Sequence, residues 1–195
     1  MTETKKFILR NMLSKSCIRL VDLHFKHVDG VAVNQVFLGE ATLTFDTEVI
    51  NRAAIEQHFE SIGFHVVRDP EEEIVEKTKI AAIELIHYAN NTNGLIRNSD
   101  YISERVQLPY ERISKAFSSN TGLTLEKYII LLKIEKAKQM LIHSDYTLSE
   151  ISYVLGYSSV QYLSNQFKKT TGYTVSQFRE LVDPPLTPLE EIIAG

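Results

Sequence analysis

Residues 147–180 read TLSEISYVLGYSSVQYLSNQFKKTTGYTVSQFRE, and the large apolar side chains Ile151, Leu155, Leu163, Phe167 and Phe178 recur in it at helical spacing. Gly156 and Gly172 stand where helices must stop and turn. The stretch therefore predicts three short helices, Thr147–Leu155, Ser159–Thr170 and Thr174–Leu181. The pattern has a partner upstream. Phe117, Thr121, Gly122 and Tyr128 recur 50 residues later as Phe167, Thr171, Gly172 and Phe178, with Ile113 matched by Leu163. Ile102, Val106 and Leu108 recur as Ile151, Leu155 and Tyr157 at an offset of 49, so the second copy has a turn one residue longer. Each unit is a short helix, a tight turn, a second helix anchored by Phe117 or Phe167, then Thr-Gly and a closing helix.

Short helix, turn and second helix make a helix-turn-helix, whose second helix can enter a major groove about 12 Å wide. Four more helices complete a set of seven: Glu73–Asn90, Asn98–Gln107, Pro109–Ser118 and the connecting helix Thr124–His143. Pro109 suits a first helical turn, where a missing N–H costs little. The connecting helix is roughly 30 Å long at 1.5 Å per residue. Adjacent major grooves on one face of DNA lie about 34–36 Å apart. A spacer of that order could place two recognition helices in neighbouring grooves from one monomer.

The runs Lys133-Ile134-Glu135-Lys136-Ala137-Lys138, Leu148-Ser149-Glu150-Ile151, Leu155-Gly156-Tyr157, Phe167-Lys168-Lys169, Thr171-Gly172 and Tyr173-Thr174-Val175-Ser176-Gln177-Phe178-Arg179 resemble the signature of the AraC family of bacterial transcription regulators. The likeness covers about 105 residues and both helix-turn-helix units. Lys133 stands where that family usually has arginine, Ser152 where alanine is common, Val175 where proline is frequent, and Leu163 where an aromatic is usual. None of these departures removes a core anchor. The resemblance implies sequence-specific binding of double-stranded DNA.

On the first recognition helix, Tyr110, Glu111, Ser114 and Lys115 point away from the Ile113/Phe117 core, with Arg112 flanking. The resemblance places base reading on Glu111, Ser114 and Lys115 and, on the second helix, on the equivalents Val160, Gln161, Tyr162, Ser164 and Asn165. Gln161 and Asn165 are four apart, so their amides share a face and could pair with adenine. Glu111 can accept only from cytosine and would repel phosphate, restricting sequence more than adding affinity. Lys168 and Lys169 at the helix end fit phosphate contacts, which fix register without reading sequence.

The first 70 residues read differently, as β-α-β-β-α-β. Lys5–Leu9 is a strand, and Ile18, Val21, Phe25 and Val28 give a helix over Ser16–Val28. Val31, Val33, Val36 and Leu38 mark a strand whose alternation slips by one residue, the sign of a bulge. Leu43 and Phe45 alternate with threonines in the next strand. A second helix starts at Asn51, carries Ile55, Phe59 and Ile62, and closes at Gly63; Phe64–Val67 is the last strand, stopped by Asp69-Pro70. The expected fold class is α+β: a ferredoxin-like βαββαβ domain (1–70), an acidic linker and helix start (71–78), an all-α seven-helix DNA-binding domain with two helix-turn-helix units (79–182), and a flexible tail (183–195).

Asn11-Met12-Leu13-Ser14-Lys15-Ser16-Cys17, Val21-Asp22, Val28-Asp29-Gly30-Val31 and Ala41-Thr42-Leu43-Thr44-Phe45-Asp46 resemble a heavy-metal-associated domain over about 65 residues. That family holds soft metals through a Cys-x-x-Cys pair. Here the first position is Ser14, a hard and poor donor for such ions, and only Cys17 remains. Met12 and Cys17 are the soft donors left in the loop, and no metal or other cofactor is expected. His24 and His27 have an acceptable ligand spacing but read as solvated surface residues; His58 and His65 share no motif. The degenerate domain is expected to serve as a homodimerisation, protein-docking or small-molecule signal module. A metal-responsive regulator of the copper type and a metal-chaperone-like adaptor without DNA binding are the competing readings.

Charge is unevenly distributed in the 195 residues. The formal net charge is −4, yet residues 79–182 hold 12 basic against 9 acidic side chains, a mildly basic block between acidic segments. The chain lacks a Gly-rich phosphate loop, Gly-x-Ser-x-Gly and His-Glu-x-x-His, so an enzyme is not expected. No apolar run reaches membrane-span length and Met1–Lys6 lacks a secretory pattern. With the single Cys17 these features predict a soluble cytoplasmic protein with no membrane partner.

Overall fold

The computed structural model describes residues 1–88 and 97–193, which divide into two compact units at Ile80/Ala81. In the first unit, β1 (Thr2–Arg10), α1 (Lys15–Phe25), β2 (Val31–Phe37), β3 (Glu40–Asp46), α2 (Arg52–Ser61) and β4 (His65–Val66) follow one another, and the strands form an antiparallel sheet in the order β2-β3-β1-β4. Alternation sets the core. Phe7 and Leu9 of β1 and Ala41, Leu43 and Phe45 of β3 turn to one face and pack with Val21 and Phe25 of α1 and Ile55 and Phe59 of α2. Phe59 is the hub, its ring 4.6 Å from Phe25 and 5.4 Å from Phe7. The slip in β2 lies between Val33 and Gln35, which leaves Asn34 outside the ladder, where its Oδ1 accepts from Thr44 Oγ1 at 2.9 Å.

α3 (Pro70–Ile83) begins three residues earlier than periodicity suggests, because Asp69-Pro70 starts it as well as ending the strand before it. Asp69 Oδ1 accepts the Glu72 N–H at 2.9 Å, and proline is well suited to the first helical position. The helix continues as a π-helical turn, Glu84–Tyr88; its expected end at Asn90 lies outside the described residues.

In the second unit, α4 (Asn98–Val106), α5 (Tyr110–Thr121), α6 (Leu125–His143), α7 (Leu148–Val154), α8 (Val160–Thr171) and α9 (Val175–Arg179) reproduce the duplication. Phe117 meets Tyr128 at 5.2 Å in the first copy, and Phe167 meets Phe178 at 5.3 Å in the second. The Thr-Gly repeat has a shared cause. Thr121 and Thr171 each donate their hydroxyl to the carbonyl of Phe117 or Phe167 and accept the N–H of Leu123 or Tyr173. Gly122 and Gly172 follow with φ of 71° and 80°, the left-handed cap that ends α5 and α8. α5 runs three residues past Ser118 for this reason, and Pro109 caps it from outside rather than occupying its first turn.

α6 carries both halves. Its buried side chains include Leu125, Tyr128, Leu132, Ile134, Ala137, Met140 and Leu141, so both helix-turn-helix cores share one central rod. Within it Glu135 and Lys138 are almost fully buried and paired at 2.8 Å. The tail, expected to be flexible, is tied back at this pair. The Thr187 N–H donates to Glu135 Oε1 at 2.8 Å, a 3₁₀ turn follows at Leu189–Glu191, and Ile192 is buried.

Candidate nucleic-acid interface

α5 and α8 each keep one face in the core, through Ile113, Ala116 and Phe117 or through Leu163 and Phe167. The opposite faces are open. Glu111, Arg112 and Lys115 are exposed on α5, with Ser114 half-buried. On α8, Val160, Gln161, Tyr162 and Asn165 are exposed and Ser164 is half-buried; Lys168 and Lys169 are exposed in the last turn. Gln161 Nε2 donates to Asn165 Oδ1 at 2.9 Å, so the two amides do share a face. Gln166 Nε2 reaches the Tyr162 hydroxyl at 3.3 Å. Ser159 caps α8 by accepting the Tyr162 N–H at 3.1 Å, fixing the start of the helix and the aim of its first residues.

The rod between them is about 28 Å long, from 19 residues at 1.5 Å each. Thr124 caps its first turn by accepting the Lys127 N–H, and α7 opens on a capping box formed by Thr147 and Glu150. Hydrogen bonds from Thr147 hold the Glu150 carboxyl below its ordinary range. Arg179 donates to the Tyr146 carbonyl at 2.8 Å, tying α9 to the connection between α6 and α7.

Tyr110 does not stand free on α5. Its hydroxyl donates to Glu126 Oε1 at 2.8 Å, and burial with this bond raises the phenol above its ordinary range. The two residues wall a cleft of about 440 Å³ that also takes in Ile130, Lys133, Tyr157 and Tyr162. Lys133 is 8% exposed and its ammonium lies 5.3 Å from the centre of the Tyr157 ring. Burial lowers the Lys133 pKa and pushes the Tyr157 phenol up to about 12. Helical periodicity does not mark this cleft, although the sequence carries one signal: Lys133 is a cation inside the run Ile129-Ile130-Leu131-Leu132-Lys133-Ile134.

In the first unit, the soft-donor loop is only partly open. Met12 is fully buried in the core formed by the sheet and the two helices, so it is a packing residue. Cys17 is half-buried, and its Sγ lies 3.2 Å from Ser14 Oγ. Among the described residues no three His, Cys, Asp or Glu side chains converge on a metal position. His24 is not the solvated residue expected. Its Nε2 lies 3.0 Å from His58 Nδ1, bridging α1 and α2 beside Phe25. Burial first, and then the His58 and His27 charges, lower its pKa. No sequence spacing signals this pair, because it forms across two helices.

Residues 102–181 match the family model described as "Helix-turn-helix domain". The xylose operon regulatory protein of Escherichia coli (strain K12) is 31% identical over 104 residues, which cover 53% of this chain and 26% of that protein. The HTH-type transcriptional activator RhaS of Escherichia coli (strain SE11) is 26% identical over 94 residues, covering 48% of this chain and 32% of RhaS. The chain thus spans about a quarter to a third of the length of these relatives. Among solved structures, the C-terminal domain of the two-component response regulator yesN from Fusobacterium nucleatum is 29% identical with a TM-score of 0.41, covering 46% of this chain and 86% of that one. Residues 102–181 of this chain thus match a helix-turn-helix domain.

Proposed function

We propose that the chain is a sequence-specific transcription regulator that reads two adjacent major grooves of double-stranded DNA with α5 and α8. The observation that carries this reading is the pair of capped recognition helices with open polar faces, both anchored to one rod about 28 Å long. That length is close to the groove repeat of about 34 Å. Glu111, Ser114 and Lys115 on α5, and Val160, Gln161, Tyr162, Ser164 and Asn165 on α8, are the base-reading set, flanked by Tyr110 and Arg112. Lys168 and Lys169 hold phosphates. Such a regulator works in the cytoplasm. No helix among the described residues is long and apolar enough to cross a membrane.

The first unit fits a ferredoxin-like module of the heavy-metal-associated type that has lost its metal pair. Its element order, its β2-β3-β1-β4 sheet and a hydrogen bond between Ser14 and Cys17 in place of a dithiol support that reading. Its role is then signal capture, protein docking or homodimerisation. Fluorescence anisotropy with duplexes selected from a random pool tests the whole. A reader prefers selected over random duplex and loses affinity steeply with salt. Equal, salt-insensitive binding to both pools would overturn it, and binding that appears only with added Cu(I) would favour the metal-responsive alternative.

A further inference from the structure

Two neighbouring major grooves on one face of a duplex are separated by a minor groove, and that groove is bordered by two phosphate strands. A protein that seats one helix in each major groove therefore carries sugar-phosphate backbone across whatever lies between those helices. Here that position is filled by the cleft walled by Tyr110 at the start of α5, Tyr162 at the start of α8, and α6 beneath.

The floor of the cleft is polarised. Glu126 and Lys133 are seven residues apart, so they share a face of α6 and stand two turns, about 10 Å, from each other. The acidic end is already occupied, since Glu126 accepts the Tyr110 hydroxyl. The cationic end is not. Lys133 is nine-tenths buried, lies over the Tyr157 ring, and forms no ion pair among the described residues. The Tyr157 hydroxyl in the same wall is buried without a hydrogen-bond partner among them. An ammonium withdrawn from water with no counter-ion is costly, and here burial already depresses its pKa. Folding alone would be better served by a leucine or methionine, as in the neighbouring positions of α6.

We propose that the Lys133 end of this cleft is an anion site that receives a phosphodiester of the DNA backbone crossing between α5 and α8. The assignment rests on the two-groove reading above and deepens it. Lys133 supplies the charge, and the Tyr157 ring fixes the ammonium beneath the path of the strand. The contact carries no base information, so it strengthens specific and non-specific binding alike.

The test uses the full chain with Lys133→Met and Lys133→Arg. Duplex affinity is measured from about 50 to 200 mM salt on a selected and a random duplex. Lys133→Met is expected to weaken both duplexes by roughly tenfold at low salt and to reduce the slope of log K against log salt by about 0.9, while the preference between them stays. Lys133→Arg should keep the wild-type slope. In the absence of DNA, Lys133→Met should melt at the same or a higher temperature, which separates a lost contact from a lost fold. An unchanged slope in Lys133→Met, with wild-type affinity for DNA, overturns the assignment while leaving the two-groove reading intact. Wild-type protein with no affinity for any duplex overturns both. Inorganic phosphate added to the free protein separates the two sources of this anion. Saturable binding that needs Lys133, together with an unchanged DNA slope, would make the site one for free phosphate and would overturn the backbone assignment.

Discussion

Gln107 adopts φ 61° at the turn between α4 and α5, and Gly156 adopts φ 65° at the same place in the second copy. The 49-residue offset places these two residues in register. Glycine adopts this conformation freely, whereas a side chain there costs about 1 kcal/mol. Gln107→Gly is therefore expected to raise stability by about 0.5–1 kcal/mol, the gain being trimmed by the greater freedom of glycine in the unfolded chain. Urea unfolding read by circular dichroism measures it, and a loss of stability would show that the Gln107 side chain has contacts worth more than the strain. The residues proposed to contact DNA separate by a different measurement. Lys168→Ala should weaken all duplexes uniformly and reduce the salt slope by about 0.9. Gln161→Ala should relax preference at one base position by about 1–3 kcal/mol. Equal weakening of specific and random duplexes by Gln161→Ala would remove that residue from base reading. At this scale the sequence was legible where a residue's type states its job, as with Phe117, Phe167 and the two Thr-Gly pairs. It was not legible for His24 and His58, whose meeting at 3.0 Å depends on how two helices lie on the sheet.

The helices were legible because their apolar residues keep one period and their ends carry recognisable caps. Thr147 with Glu150 and Thr174 with Gln177 form reciprocal capping boxes at α7 and α9. The start of α3 at Pro70 departs from the expected Glu73 because Asp-Pro reads equally well as an ending, and the hydrogen bond from the Glu72 N–H to Asp69 makes it a beginning too. The π-helical turn at Glu84–Tyr88 has no sequence signature at all. The threonines that close α5 and α8 allow an element-level prediction. Thr171→Val keeps the shape but removes both the bond to the Phe167 carbonyl and the acceptor for the Tyr173 N–H. A loss of about 1–2 kcal/mol is expected from thermal or urea unfolding. Thr121→Val should cost a similar amount, and because the two threonines share no hydrogen-bond partner, the double variant should lose their sum to within about 0.5 kcal/mol.

Across the molecule, acid is the condition to which the second unit should respond most sharply. His87 lies in the π-helical turn packed against α6, and its pKa is pushed down to about 4, first by burial and then by the Lys136 charge, with a bond to the Leu132 backbone opposing them. The unfolded imidazole titrates near 6.5. Between these values the unfolded chain binds the extra proton, so stability is full above about pH 6.5 and declines as pH falls toward 4. The loss attributable to this one group approaches about 3 kcal/mol at the acid end. His87→Gln should flatten that part of the stability–pH curve; an unchanged acid limb would show that other groups set it. The duplicated plan of this half was written in the repeat itself. The anchoring of the tail was not, since three prolines break any period there, and its hold comes from the burial of Ile192 and from a backbone N–H finding a carboxylate 52 residues away.

That bond ties Thr187 to the central rod. Glu135 divides its two oxygens between the Lys138 ammonium and the Thr187 amide. Trimming the protein at Val182 would strip one oxygen of its donor and leave the carboxylate to Lys138 alone. A protease nick before Thr187 would then be felt midway along the rod that joins the two helix-turn-helix units.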